Sequence, residues 1–332
     1  MKQVLERLFQ GEILTTDEAA QILTRITSGE IADVQVAALL SVYRMRPITT
    51  DELLGFRQSL IEAALPVDLS DYNAIDVVGT GGDGKNTFNI STCACFVIAG
   101  TGHRVAKHGN FGASSVSGAS TVLQQHGVKF TNDEAALRRS IEASGVAYLH
   151  APMFHPALGA VAPLRRAIAV KTFFNLLGPL VNPCSPAAQL LGVADLEQLR
   201  LYREVLTRIG RPFCIATSLD GYDEISLTTD FKIATREGEN LFRPDEFGLP
   251  ISDPAMLVGG DTPEEAAKIF DNVLNGTALP SQTNTVLINA AFGLRLLEPE
   301  KSVEECLQMA RESLDSGAAK ARFADFLAIN TL

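Results

Sequence analysis

Four glycines in six positions, Gly79, Gly81, Gly82 and Gly84, follow the mostly apolar run Ala74 to Val78 and precede a second apolar run that begins at Phe88. Glycine admits positive φ and lets a chain turn tightly with its amides uncovered, so this pattern reads as a strand, a sharp turn and a helix. Asn89, Ser91 and Thr92 supply the residue types of a helix start. There the free N–H groups and the dipole favour an anion. The segment therefore predicts a βα unit with a phosphate site at its turn.

The same texture recurs downstream. Short β-rich runs at Ile75 to Val78, Arg104 to Lys107, Ala147 to His150, Phe213 to Thr217 and Ile225 to Thr228 alternate with helical stretches, which argues an α/β domain with a mainly parallel central sheet. Helix starts are expected at Thr131-x-x-Glu134 and at Thr262-Pro263-x-Glu265, the latter with Gly276 as its stop. The first 65 residues read differently, as helices opened by two capping boxes, Thr15-x-x-Glu18 and Thr49-x-x-Glu52. Between the boxes, Val34, Val36, Ala37, Leu39, Leu40, Val42 and Tyr43 form an apolar face too broad for one neighbouring helix. The expected organisation is a small N-terminal helical domain (residues 1–65, joined by helices from about 163–180) plus a large α/β domain (66–332).

Charge and cysteine usage exclude several classes. With 28 Lys and Arg against 39 Asp and Glu, the net charge of −11 repels duplex DNA and anionic membrane surfaces. The five cysteines are too few and too irregular for a secreted disulfide framework and read as reduced core thiols. The amphipathic start lacks the apolar core of a signal peptide, and runs such as Cys93 to Ala99 are too short to span a bilayer. A cytoplasmic protein without membrane or nucleic-acid partners is expected.

Two familiar patterns overlap on the glycine turn. Gly79-x-Gly81-x-x-Gly84 satisfies the dinucleotide fingerprint, but the next strand ends at Lys107-His108 with no acid placed for ribose hydroxyls. Gly79 through Lys85 satisfies most of a P-loop, but Asn86 stands where a hydroxyl should meet magnesium. A second loop, Lys107-His108-Gly109-Asn110-Phe111-Gly112-Ala113-Ser114-Ser115-Val116-Ser117-Gly118, again gathers a cation, glycines and hydroxyls. Asp220-Gly221-Tyr222-Asp223-Glu224 sets two adjacent carboxylates at the entrance of an expected strand; such acids repel unless a cation sits between them.

The run Gly79 to Thr92, the Lys107-His108-Gly109-Asn110 block with its downstream serines, the stretches His150 to Arg165 and Lys171 to Pro183, and the Asp223-Glu224 pair together resemble the anthranilate phosphoribosyltransferase family. The resemblance implies transfer of the phosphoribosyl group of 5-phosphoribosyl 1-pyrophosphate (PRPP) to anthranilate, a step of tryptophan biosynthesis. It implies PRPP contacts from Gly79, Gly82, Asp83, Thr87, Asn89, Ile90, Ser91, Thr92, Lys107, His108, Gly109, Asn110, Phe111, Gly112, Ala113, Ser114, Ser115 and Ala119. Anthranilate falls to Gly79, Asn110 and Arg165, and Mg2+, two ions per subunit, to Ser91, Asp223 and Glu224. A guanidinium suits the planar carboxylate, which it can bind through two parallel N–H bonds.

No acid–base residue is implied. The aryl amine is already uncharged at neutral pH, so His108 and His155 read as loop hydrogen-bonders. A homodimer is expected through the helical domain. The chain departs from the family where many members carry Arg-Ser at Phe111-Gly112, Lys at Val116, Ser at Ala119 and a His near Thr217 and Ser218. Two rivals on the same fold are a pyrimidine nucleoside phosphorylase and a non-catalytic nucleic-acid-binding relative. The loop pattern, the acid pair and the net charge speak against both.

Overall fold

The computed structural model describes residues 1–112 and 116–331. Four helices open the chain: α1 (Lys2–Phe9), α2 (Thr16–Thr27), α3 (Asp33–Met45) and α4 (Thr50–Glu62). Strands and helices then alternate through β1 (Ile75–Gly79), α5 (Ile90–Gly100), β2 (Val105–Gly109), α6 (Ala119–Gln125), α7 (Glu134–Ser144) and β3 (Val146–His150). A second helical stretch comprises α8 (Ala151–Phe154), α9 (Pro156–Ile168) and α10 (Phe174–Leu177). The rest runs β4 (Ala188–Gly192), α11 (Leu196–Ile209), β5 (Phe213–Ser218), β6 (Phe231–Ala234), β7 (Glu239–Phe242), α12 (Pro263–Leu274), α13 (Pro280–Leu297), α14 (Val303–Asp315) and α15 (Ala318–Asn330).

Two compact units result. The first joins Met1–Pro66 to Ala151–Pro183, and the second joins Val67–His150 to Cys184–Leu332. In the first, both capping boxes form with reciprocal bonds, Thr15 with Glu18 and Thr49 with Glu52. Gly55 lets α4 press against α2, since a methyl there would collide with the Thr16 carbonyl. Phe56 stacks on Phe173 at 4.3 Å between ring centroids, and Phe173 stacks on Phe174 at 4.6 Å. The helical reading of Pro163 to Leu177 holds only in part: α9 ends at Ile168, where Ala169 turns left-handed, and α10 begins at Phe174.

The second unit is built on a seven-stranded sheet of order β3-β2-β1-β4-β5-β6-β7. The first five of these pair in parallel, and β6 and β7 add an antiparallel edge. The mainly parallel sheet expected from the alternation is therefore present. α5 is buried from Ile90 to Ala99 apart from Ser91 and packs against α13, whose Gly293 admits Ile98. All five cysteines are free and buried, in keeping with core thiols.

Three local expectations are corrected. Ile225 to Thr228 is not a strand: Asn289 on α13 takes both the N–H and the C=O of Ile225, and Leu227 is left-handed. α7 is capped by Asp133, not Thr131, whose hydroxyl instead accepts from the Asp133 N–H. Asn89 sits at the cap position of α5, yet its amide nitrogen donates to the Ser117 carbonyl and gives the helix no side-chain cap.

Candidate active site

β1 ends at Gly79, and the turn after it passes through positive φ at Gly81, Gly82, Gly84 and Asn86. That backbone points its amides at the acid loop from residue 220 onward: the Gly81 N–H donates to Asp223 Oδ2 at 2.6 Å, and the Ser91 N–H, in the first turn of α5, donates to Glu224 Oε1 at 2.9 Å. The two neighbouring carboxylates thus engage separate segments because the chain here is irregular, not because strand residues alternate in direction.

Close backbone approach makes this possible. A methyl at Gly79 would press on the Asp223 carboxylate, and one at Gly192, the last residue of β4, would overlap the Asp223 carbonyl. Ser218, near the position where the family resemblance implies a histidine, donates to the Glu224 carbonyl at 2.8 Å and accepts from the Ser226 N–H at 3.0 Å. Its hydroxyl shapes the acid loop.

The electrostatics follow from this burial. Burial, then the charge of Asp83, pushes the Asp223 carboxyl up to about 7, against the pull of the Gly81 amide. Glu224 is raised well above the ordinary range by burial and by Asp223, with Lys107 opposing. Lys107, itself buried, donates to the Val77 carbonyl and to Ser91 Oγ at 3.2 Å. Two acids with raised pKa values beside a serine hydroxyl form an all-oxygen donor set of the kind that a hard divalent cation takes.

The second loop starts where β2 ends. Asp76 accepts the His108 N–H at 3.2 Å, and the Asn110 carbonyl accepts the Ser120 N–H at 3.1 Å. Phe111 turns its ring edge-on to Phe130 and His150. Gly112 runs so close to Gly118 that a methyl at Gly118 would strike its nitrogen. Ala113, Ser114 and Ser115 lie outside the described residues. Ser120 does not stand in for the serine missing at Ala119, because its buried hydroxyl is engaged by Tyr148 and His150.

In the helical unit, Arg165 sits on α9 with its guanidinium 5.2 Å from the centre of the Phe174 ring. Burial lowers its pKa, and it has no acidic partner among the described residues. His155 is buried; that burial holds its pKa low, against backbone groups of Val181 and Leu60.

The helical bundle domain of the Glycosyl transferase family matches residues 2–64, and the a/b domain of the same family matches residues 71–320. An anthranilate phosphoribosyltransferase of Phocaeicola vulgatus is 55% identical over 331 residues, covering 100% of both chains. The chain belongs to the anthranilate phosphoribosyltransferase family.

Among solved structures of anthranilate phosphoribosyltransferases, that of Thermus thermophilus is 34% identical with a TM-score of 0.92, over 99% of each chain. That of Saccharomyces cerevisiae, in complex with PRPP and Mg, is 25% identical with a TM-score of 0.91, over 98% of this chain and 96% of that one. Sequence reasoning about this member of the anthranilate phosphoribosyltransferase family missed Gly192, Asn289 and Ser218 as shapers of the acid loop. Gly192 ends a strand, Ala188 to Gly192, that was not foreseen, and no local signal ties Asn289 to a loop 64 residues away.

Proposed function

We propose that this chain transfers the phosphoribosyl group of PRPP to the amino group of anthranilate, giving N-(5-phosphoribosyl)anthranilate and pyrophosphate, in tryptophan biosynthesis. The observation that carries the reading is the junction of the glycine turn, the start of α5 and the Asp223-Glu224 pair, where backbone amides donate to the two acids.

The turn from Gly79 to Thr87, Asn89 at the cap position of α5 and the first residues of that helix, Ile90 to Thr92, bind the diphosphate end of PRPP. Gly82 and the backbone around Asp83 approach it closely, and Lys107 supplies a buried positive charge. Lys107 to Gly112, the residues Ala113, Ser114 and Ser115 that the family resemblance implies, and Ala119 hold the remaining phosphate and ribose oxygens. Where the family's Arg-Ser is replaced by Phe111-Gly112, the chain relies on backbone N–H groups.

Magnesium fits the site on its chemistry: Ser91, Asp223 and Glu224 are oxygen donors, and the raised pKa values of the two acids mark a place where burial and neighbouring acids outweigh the charge of Lys107. Two ions per subunit are proposed, since the two carboxylates engage different backbone segments. Bound there, Mg2+ neutralises the diphosphate that departs. The ribose C1–O bond breaks, positive charge grows on that carbon, and the C1–N bond forms from the opposite face while the amine releases one proton to solvent.

Arg165 binds the anthranilate carboxylate through a guanidinium that is desolvated and unneutralised, and Asn110 and Gly79 border the acceptor. Holding the amine in line accounts for up to about 7–11 kcal/mol of barrier without any acid–base group. A cytoplasmic homodimer is the proposed assembly; Phe9, Val34 and Met45 leave large apolar side chains exposed on the helical unit. The test is loss of anthranilate fluorescence with PRPP and Mg2+ present. EDTA is expected to stop it, and no loss at any Mg2+ concentration refutes the assignment.

A further inference from the structure

The adjacent strands β3, β2, β1 and β4 end in His150, Gly109, Gly79 and Gly192, and the register pairs Gly109 with His150 and Gly79 with Gly192. In open α/β sheets ligands bind outside the carboxyl ends of the strands. Three of these four ends carry no side chain; the fourth presents an imidazole.

That imidazole is rigidly set. His150 is only 7% exposed, stacks on Phe130 at 4.3 Å and 20°, and meets the Phe111 ring edge-on at 5.1 Å. Its Nδ1 lies 2.8 Å from Ser120 Oγ, which lies 2.7 Å from the Tyr148 hydroxyl. Burial raises the pKa of Tyr148, so its phenol stays neutral; Ser120 is its side-chain partner among the described residues, and the phenol can donate to it. With that bond accepted, the Ser120 proton is available to His150 Nδ1.

That order of donors goes with one tautomer, in which Nδ1 accepts and the proton is carried on Nε2. A proton added at Nδ1 would leave the Ser120 hydroxyl without an acceptor among the described residues, and burial also lowers the His150 pKa. The Nε2–H has no partner among the described residues, although the residue is almost wholly buried.

We propose that His150 is a further binding residue for the acceptor: its neutral Nε2–H donates to an oxygen of an aromatic carboxylic acid, with the Phe111 ring beside it. Ser120 is a positioning residue that selects the tautomer and, through its N–H, also holds the Asn110 carbonyl. The acceptor is favoured over PRPP because a neutral donor set among aromatic rings matches an aryl carboxylate. Phosphate groups draw the buried Lys107 and the glycine-loop amides instead. The inference rests on the phosphoribosyl transfer proposed above.

Steady-state kinetics of wild type, His150→Phe, His150→Gln and Ser120→Ala test it, with anthranilate and PRPP varied in turn. His150→Phe keeps the ring stack and loses the donor; the anthranilate KM should rise about ten-fold or more, as one hydrogen bond to a charged carboxylate warrants, with the PRPP KM within two-fold. His150→Gln, which keeps an N–H at its far end, should recover most of that loss, and Ser120→Ala should show a smaller rise of the same kind. Nitrogen-15 shifts of His150 in the wild type should show a proton on Nε2 alone.

An anthranilate KM unchanged in His150→Phe, an effect on the PRPP KM instead, or a proton on Nδ1 would each overturn the proposal while leaving phosphoribosyl transfer intact. Should His150→Phe fail to fold, the Gln variant and the wild-type tautomer decide: Gln with an anthranilate KM more than five-fold raised overturns it. A wild type that does not convert anthranilate overturns both readings.

Discussion

Asp223 carries opposite instructions for stability and for chemistry. Its folded pKa, raised to about 7 by burial and by Asp83, lies above the ordinary value of 3.8. A group so raised contributes stability in full below the unfolded value and loses it as pH rises through about 7. Asp223→Asn keeps an acceptor for the Gly81 amide and removes the buried charge. Without Mg2+ it should melt about 2 °C or more above the wild type at pH 8 and by a clearly smaller margin at pH 5, nearer the unfolded value, while Mg2+-dependent turnover falls at least about a hundred-fold. Scanning calorimetry at both pH values checks the first part; a variant that melts lower at pH 8 contradicts it. Arg165→Ala should raise the anthranilate KM about ten-fold or more, because a charge-assisted hydrogen bond is worth roughly 1.5–3 kcal/mol, and leave the PRPP KM nearly unchanged. Equal effects on both substrates would deny Arg165 that role.

Among the elements, α4 shows how a capping residue acquires a second task. Glu52 completes the box with Thr49 and is 0% exposed, where it also accepts from the Leu14 N–H, the Tyr43 hydroxyl and both terminal nitrogens of Arg46, the shorter bond being 2.6 Å. Burial disfavours its charge, but Arg46 and the amides of Thr49 and Leu14 outweigh that and hold its pKa below the usual value. Its stabilisation is therefore present above about pH 4.5 and lost as pH falls through the lowered value. Glu52→Gln leaves Arg46 without its partner and should cost about 3–5 kcal/mol near neutrality. In urea titrations from pH 7 down to pH 3 the deficit should shrink; a constant deficit would show that the carboxylate's charge is not what matters. The contrast with Asp223 is one of partners, since Glu52 has a bidentate guanidinium and Asp223 has a single amide and a neighbouring acid.

At the scale of the whole molecule, the donor substrate and its metal are proposed to bind elements far apart in sequence, so they should stabilise the folded state in concert. PRPP with Mg2+ at a hundred times its dissociation constant should add about 2.7 kcal/mol, read as a rise in Tm larger than the sum of the rises with each alone. A simple sum would mean that metal and diphosphate do not share a site. The capping boxes, the glycine turn and the alternation of strands with helices were legible in the sequence because each is set within a few residues, by reciprocal hydrogen bonds, by positive φ or by periodicity. So was the family, since its motifs are local strings. What tertiary structure alone decided are long-range contacts: that Ile225 to Thr228 is bound by Asn289 and does not pair as a strand, that Asp223 and Glu224 face different amides, and that Ser120 serves Tyr148 and His150. A hydrogen bond across 30 to 140 residues leaves no periodicity behind it, because the distance along the chain says nothing about which polar groups burial will bring together.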